Sequence, residues 1–204
     1  LMPPALFIPL AEESELIVAL GDWVLEQACM AMARAAQAGR VLRLSVNVSP
    51  RQFGEAGFVD RVRRLMATHG TPPAQLTLEV TEGLVVDDVE RVVAKMHALA
   101  ALGVRFSVDD FGTGYSSLRY LQRMPLHELK IDKGFVQDAP DNADDAALVF
   151  TMLAVAGHLG LSVVAEGVET QAQHDALCAC GVELAQGWLY GRPAAVDEVL
   201  PPGL

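Results

Sequence analysis

Six short apolar segments recur along this chain, and each is nearly continuously apolar instead of alternating with polar residues. They cover residues 42–48, 76–80, 104–108, 128–131, 161–165 and 182–185. Such runs are typical of strands that are buried on both faces, as in a parallel sheet covered by helices. Helix-ending glycines precede most of these strands, at Gly39, Gly70, Gly103, Gly160 and Gly181. The pattern predicts an α/β fold of repeated strand–helix units, as in a (β/α) barrel.

Length and charge limit what this chain can bind. With 204 residues and 51% hydrophobic content, it can bury a sizeable core, and we expect a single domain over residues 1–204. Its net charge of −11 argues against binding to nucleic-acid polymers or to anionic membrane surfaces. A phosphate-bearing ligand would therefore need metal ions to mediate its binding.

Cysteine usage and apolar runs indicate the compartment. The three cysteines are odd in number and have no framework spacing, which favours a reducing environment. The N-terminus has no basic region ahead of an apolar one, so we expect no signal peptide. The uncharged run 146–165 is long enough to cross a bilayer, but Gly157 and Gly160 interrupt it and predict a helix, a turn and a strand. We expect a cytoplasmic domain without membrane contact, whose parent protein can still be membrane-anchored.

Polar side chains lie at the carboxyl end of each of the six predicted strands. They are Asn47, Glu79, Asp109, Asp110, Lys130, Asp132, Glu166 and Gln186. In a (β/α) barrel the carboxyl ends of the strands converge on one rim, so residues that are distant in sequence meet there. The sequence therefore predicts a site at this rim.

The residue types at this rim indicate a metal-dependent reaction. Four of them offer only oxygen ligands, which favour Mg²⁺ or Mn²⁺: Asn47, Glu79, Asp109 and Asp110. Adjacent aspartates suit a pair of cations that share a carboxylate and activate a bridging water. Lys130 could orient that water, and Glu166 could accept its proton. The predicted reaction is hydrolysis of a phosphodiester.

Taken one at a time, several of these residues have ordinary interpretations. Asn47 could bond its own turn, Lys130 could be a solvated charge, and Gln186 could be a surface amide. Glu79 and Glu82 could be acids favoured by a helix N-terminus. The pair Asp109-Asp110 is harder to explain without a cation, because adjacent carboxylates repel each other.

Histidine and cysteine are not expected to bind the metal. None of the five histidines ends a predicted strand or is paired at ligand spacing. The Cys178-Ala179-Cys180 pair lacks a second pair of ligands, so we interpret it as part of a helix-to-strand turn.

These motifs together resemble the EAL domain family, the bacterial phosphodiesterases that hydrolyse cyclic diguanylate (cyclic di-GMP). The matching segments follow in family order: Phe7 to Glu13, Asn47-Val48-Ser49-Pro50, Leu78 to Glu82, Asp109 to Ser117, Leu129-Lys130-Ile131-Asp132, Ala165 to Glu169 and Gln186-Gly187. The resemblance implies a modified (β/α)8 TIM barrel. It also implies cleavage of cyclic di-GMP to linear pGpG and dependence on Mg²⁺ or Mn²⁺ in a two-metal site.

The resemblance also implies a role for each matching residue. The residues similar to the family's metal ligands are Asn47, Glu79, Asp109 and Asp110. Lys130 and Glu166 resemble its water-positioning and base residues, and Gln186 resembles its active-site glutamine. Glu82 looks like the glutamate that anchors the loop after the paired aspartates, and Asp132 belongs to the same rim. A homodimer is implied as well.

One departure from the family pattern concerns the start of the chain. The Glu-Ala-Leu motif and its arginine lie upstream of Phe7 to Glu13 in the family, and this chain begins at Leu1 without them. Six predicted strands against eight in a full barrel agree with the absence of the first two strands, one of which carries the motif. We expect an N-terminally incomplete domain from a larger signalling protein with an upstream sensory or cyclase-like domain.

Two other functions remain open. The first is a catalytically inactive receptor for cyclic di-GMP, in which we would expect lost ligands or a blurred Gly112-Thr113-Gly114 loop. The second is an unrelated barrel enzyme that uses enolate chemistry with Mg²⁺, which does not predict the paired aspartates.

Overall fold

The structure is a computed structural model that describes residues 2–85, 88–112 and 118–199. Its residues form two compact units, one ending at Phe106 and the other running from Ser107 to Val199. Both units alternate strands with helices, which agrees with the predicted α/β class.

The first unit contains the two strands that precede the unit boundary and the helices around them. Its elements are α1 (Pro4–Glu12), α2 (Leu16–Gln37), β1 (Leu44–Asn47), α3 (Pro50–Gly54), α4 (Phe58–His69), β2 (Leu76–Thr81) and α5 (Val89–Ala100). Short 3-10 turns, Pro73–Gln75 and Glu82–Val85, flank β2. Strands β1 and β2 are parallel, and Asn47 lies opposite Glu79 in their register.

Aromatic and aliphatic side chains form the core of the first unit. Phe53, Phe58 and Phe106 are fully buried. The ring centroids of Phe53 and Phe58 lie 5.2 Å apart, and those of Phe53 and Phe106 lie 6.4 Å apart. Burial of such a side chain contributes about 1.5–3 kcal/mol, so these contacts hold α3 against α4 and Phe106.

One helix of the first unit is long and apolar enough to cross a membrane by length and composition alone. It is α2, whose most apolar window has a mean hydropathy of 1.4. Leu25, Cys29 and Met32 on this helix are almost fully buried, and the helix contacts α4 and β1. These contacts are those of a core helix.

The second unit contains four parallel strands. Its elements are β3 (Arg105–Phe111, which begins in the first unit), α6 (Leu118–Leu121), β4 (Glu128–Ile131), α7 (Lys133–Gln137), α8 (Ala143–Leu159), β5 (Ser162–Ala165), α9 (Gln171–Cys180), β6 (Leu184–Ala185) and α10 (Val196–Val199). The strands lie side by side in chain order, β3-β4-β5-β6.

The uncharged run 146–165 forms a helix, a turn and a strand, as predicted. Helix α8 begins at Asn142, whose side chain accepts a hydrogen bond from the Asp144 amide at 3.0 Å. It ends at Gly160, which has the left-handed φ of 70° that glycine tolerates best. Val149 and Ala156 on α8 are buried in the core of the second unit, with Leu129 and Ile131 of β4.

The six strands agree with the prediction in order, and they differ from it in some of their bounds. The largest difference is in β3, which was predicted to end at Val108 and instead continues through Asp109 and Asp110 to Phe111. A register shift between Val108 and Phe111 on the β4 side allows this extension, because it takes up the two aspartates as a bulge. The last strand is shorter than predicted and consists of Leu184–Ala185.

Candidate active site

In the first unit, the structure brings together two of the predicted metal ligands. Asn47 is the last residue of β1, and its Cα partner Glu79 lies two residues before the end of β2. The Val48 amide donates a hydrogen bond to the Glu79 carbonyl oxygen at 2.9 Å. Glu79 is only 5% exposed. Burial of a carboxylate is costly unless charge or hydrogen bonds compensate it, so this residue is a poor candidate for an incidental helix-terminus acid.

In the second unit, the paired aspartates occupy the bulge of β3. Asp110 has a φ of 55°, which is uncommon for a residue other than glycine. Its amide donates a hydrogen bond to Asp109 Oδ1 at 3.1 Å. The bulge interrupts the alternation of a regular strand, in which neighbouring side chains point to opposite faces.

Glu166 completes a group of three carboxylates with the two aspartates. It follows β5 directly, and its amide donates to the carbonyl oxygen of Ile131 in β4 at 3.0 Å. One carboxylate oxygen from each of Asp109, Asp110 and Glu166 lies within 4.8 Å of the others. Three oxygens at this spacing fit a hard divalent cation such as Mg²⁺ or Mn²⁺.

The electrostatics of this group favour a bound cation. Burial raises the pKa of Asp110, and the neighbouring charges of Asp109 and Asp132 raise it further. A hydrogen bond with Asp132 acts in the same direction, while Lys130 partly opposes these effects. A divalent cation would stabilise the ionised carboxylates and so oppose the rise in the pKa of Asp110.

Lys130 lies among the carboxylates as a buried counter-charge. The residue is 4% exposed, and its Nζ lies 3.6 Å from Asp109 Oδ1 and forms an ion pair with Glu166 Oε1. Gln186 Nε2 donates a hydrogen bond to the same Glu166 oxygen. These two donors fix the orientation of the Glu166 carboxylate.

A cleft of about 610 Å³ opens beside these residues in the second unit. Its lining includes Asp110, Asp132, Glu166 and Gln186, together with Lys133, Trp188 and Arg192. The Arg192 guanidinium stacks over the Trp188 ring, with its carbon 4.6 Å from the ring centroid. The cleft therefore combines acids that can hold cations with an aromatic surface and two cationic side chains.

The structure thus places most of the predicted residues at strand ends. In the second unit it brings together Asp109, Asp110, Lys130, Asp132, Glu166 and Gln186. Asp132 also caps α7, since its side chain accepts a hydrogen bond from the Gly134 amide at 2.9 Å. The side chain of Glu82 and residues 113–117 of the predicted loop lie outside the described part of the chain.

Three cleft-lining residues with charged or aromatic side chains were not predicted as site residues: Lys133, Trp188 and Arg192. Lys133 follows Asp132 directly after a strand, which is a signal that the sequence contained. Trp188 and Arg192 lie in an irregular segment after the last strand, so periodicity offered no signal for them.

Parallel strands that carry carboxylates and a buried lysine near their carboxyl ends define an α/β protein with an acidic site whose oxygens suit a cation. A model of the EAL domain matches residues 1–193, and the chain belongs to the EAL domain family. The predicted family is confirmed.

Two curated relatives from Pseudomonas aeruginosa have similar sequences. The bifunctional diguanylate cyclase/cyclic di-GMP phosphodiesterase MucR is 45% identical over 201 residues, which are 98% of this chain and 29% of that protein. The cyclic di-GMP phosphodiesterase NbdA is 42% identical over 204 residues, which are 98% of this chain and 26% of that protein. The chain spans less than a third of the length of these relatives.

Solved structures of EAL proteins confirm the fold. A MucR phosphodiesterase in complex with c-di-GMP has a TM-score of 0.92 and 44% identity, covering 97% of this chain and 81% of that one. The EAL enzyme Bd1971, bound to cAMP and cyclic di-GMP, has a TM-score of 0.91 and 29% identity, covering 98% of this chain and 55% of that one. The predicted barrel-type α/β fold is therefore that of EAL domains.

Proposed function

We propose that this chain is a phosphodiesterase domain that hydrolyses cyclic di-GMP to linear pGpG. The observation that carries the proposal is the group of Asp109, Asp110 and Glu166, whose oxygens lie within 4.8 Å of one another around the buried Lys130. The names of the relatives MucR and NbdA support the substrate.

The cations in this proposal are Mg²⁺ or Mn²⁺. When bound, such ions would supply an activated water and stabilise the charge that develops on the phosphate oxygens. Asp109 and Asp110 would hold them beside Glu166, and Asn47 and Glu79 keep the ligand roles implied by the family resemblance. The BlrP1 protein of Klebsiella pneumoniae, 32% identical, has been solved as a calcium and cyclic di-GMP complex. It has a TM-score of 0.73 and covers 83% of this chain and 44% of that one.

The chain's own residues perform three tasks in this reaction. Lys130 offsets the negative charge of Asp109 and Glu166, so that a phosphodiester can approach the acidic rim. Gln186 orients Glu166, which accepts the proton of the attacking water. Lys133 and Arg192 line the cleft as cations that attract the anionic substrate.

Replacement of a central carboxylate tests this function. We expect Asp109→Asn in the natural full-length polypeptide to reduce hydrolysis of cyclic di-GMP below detection, because it removes a metal ligand while keeping the side-chain shape. Asp60→Asn is the matched control, since Asp60 is an exposed α4 residue that pairs with Arg63. Conversion to pGpG with Mg²⁺ or Mn²⁺ would be followed by reverse-phase chromatography.

The same assay separates the enzyme from the receptor alternative. A receptor would bind cyclic di-GMP with Mn²⁺ present and release no pGpG. Undiminished turnover by Asp109→Asn would reject the proposed active site, and binding without product would favour the receptor.

We also propose a parent protein, an oligomeric state and a cellular location for this domain. The longer relatives, one of which is named as a diguanylate cyclase as well, support a parent protein with an upstream sensory or cyclase-like domain. A single domain over residues 1–204 and a homodimer remain proposals from the family resemblance. The free thiols of Cys29, Cys178 and Cys180 suit the proposed cytoplasmic location.

A further inference from the structure

The segment 187–193 forms one wall of the cleft. Gly187, Trp188, Gly191, Arg192 and Pro193 line the cleft. The wall's two large side chains are Trp188, which is 53% exposed, and Arg192, which stacks on it at 4.6 Å. Their position depends on how an irregular segment without helix or strand is held in place.

The start of the segment is held by its backbone. The Leu189 amide donates to the Val168 carbonyl oxygen at 3.0 Å, and the Tyr190 amide donates to the Gly187 carbonyl oxygen at 3.1 Å. Gly187 passes so close to Val168 that a Cβ at this position would overlap the Val168 backbone. These contacts fix residues 187–189 beside the turn that follows Glu166.

The middle of the segment is tied to helix α9 through a side chain. Tyr190 Oη lies 2.8 Å from His174 Nδ1, and the two rings meet edge to face with centroids 6.0 Å apart. Tyr190 lies between Trp188 and Arg192 in sequence, so this bond anchors the backbone that carries both. We call the hydrogen bond between His174 and Tyr190 the α9 brace.

Helix α9 is a firm anchor for this bond. Thr170 and Gln173 form a capping box at its start, and Gln173 Oε1 accepts from the Glu169 and Thr170 amides at 2.7 and 2.9 Å. Leu177 is 1% exposed and belongs to the core of the second unit. His174 therefore projects from a helix that is fixed at its N-terminus and in the core.

We propose that His174 is a positioning residue for the substrate, acting through Tyr190 on the Trp188–Arg192 wall of the cleft. The inference rests on the proposed function for its substrate, cyclic di-GMP. When the wall is already ordered in the free protein, substrate binding does not include the entropy cost of ordering the wall, and affinity is higher. Loss of the α9 brace should therefore weaken substrate binding and leave the chemical step at Glu166 almost unchanged.

Steady-state kinetics of variants that lack the α9 brace test whether binding is affected and the chemical step is not. We expect His174→Ala and Tyr190→Phe each to raise KM for cyclic di-GMP about two- to tenfold, the range of one hydrogen bond, with kcat changed less than about twofold. His174→Asn should restore KM, because the asparagine side chain can place a polar atom near Nδ1. The double variant should be no worse than either single variant, since both remove one bond.

A matched control and a fluorescence measurement accompany the kinetics. Gln171→Ala removes the Gln171–Asp175 hydrogen bond of 2.8 Å on the same helix and should leave KM unchanged. These 204 residues contain two tryptophans, so Trp188 becomes the reporter of the wall once Trp23 and any tryptophan outside this segment are replaced by phenylalanine. In this background, loss of the α9 brace should lower the Trp188 anisotropy and increase its quenching by acrylamide.

The outcomes separate this inference from the proposed function. Normal KM in Tyr190→Phe, or equal effects of Gln171→Ala and His174→Ala, would overturn the inference while hydrolysis stands. If the parent protein does not hydrolyse cyclic di-GMP, the proposed function fails. The inference is then judged by Trp188 anisotropy and by the Kd for cyclic di-GMP from calorimetry, and an unchanged value of either in Tyr190→Phe overturns it.

Discussion

At the scale of single residues, the site depends on the buried Lys130 side chain, which lies among several carboxylates. Lys130, Asp109 and Glu166 have side chains that are 5%, 14% and 17% exposed. Removal of one partner from such a group is costly, because it leaves another charge buried and uncompensated. Lys130 therefore supports the fold of the apo site as well as the proposed chemistry.

This dependence predicts a large cost for neutralising the lysine. We expect Lys130→Met to lower the free energy of unfolding by about 3–5 kcal/mol in the presence of EDTA. Lys133→Met, at an exposed neighbouring position, should cost less than about 1 kcal/mol. Urea titrations followed by circular dichroism would measure both changes. Equal stability of Lys130→Met and the unsubstituted protein would contradict the ion pairs assigned to Lys130.

At the scale of elements, glycines decide where helices end and strands begin. Two glycines near the end of α8 differ in backbone conformation. Gly157 is helical and Gly160 has a φ of 70°, and a Cβ would meet nothing within 4 Å at either position. An added methyl group therefore has room at both positions, and only the backbone conformation decides its effect on stability.

This pair gives a prediction with its own internal control. Gly157→Ala should stabilise the protein by about 0.5–1 kcal/mol, because alanine loses less backbone entropy in a helix. Gly160→Ala should destabilise it by about 1–2 kcal/mol, because the left-handed conformation strains a side chain. Thermal unfolding would show the two signs, and a Gly160→Ala variant as stable as the unsubstituted protein would refute the left-handed cap at Gly160.

At the scale of the whole molecule, the net charge of −11 opposes compaction, and the acidic rim adds a local share of that repulsion. A specific cation site responds to ligand concentration by mass action, whereas diffuse screening responds to ionic strength. The two effects can therefore be separated in one protein.

Metal-dependent stability is the matching prediction. Mn²⁺ at about 100 times its Kd should stabilise the protein by about 2.7 kcal/mol, which raises the Tm by about 5–10 °C. Asp109→Asn should lose this shift and Asp60→Asn should keep it. Scanning fluorimetry would compare the Tm shift caused by Mn²⁺ with the shift caused by NaCl at equal ionic strength. Equal Tm shifts from the two salts would exclude a specific cation site.

Much of the fold and of the rim could be predicted because the signals are local. The apolar runs and helix-ending glycines specified strand order, and the two polar groups after β3 and β5 identified the acids that the structure brings together. Asp109 and Asp110 were expected after the end of β3, and they lie inside it instead. The bulge that accommodates them depends on pairing with β4, which no local pattern encodes.

The sequence by itself determined the family, the α/β class and the residue types at the strand ends, because periodicity and side-chain chemistry are properties of short segments. Tertiary structure decided that Lys130 and Gln186 both bond Glu166. It also decided that Arg192 stacks on Trp188 and that Tyr190 reaches His174. Each of these contacts requires the folded backbone to bring side chains into hydrogen-bonding or stacking range, and none follows from the residue types alone.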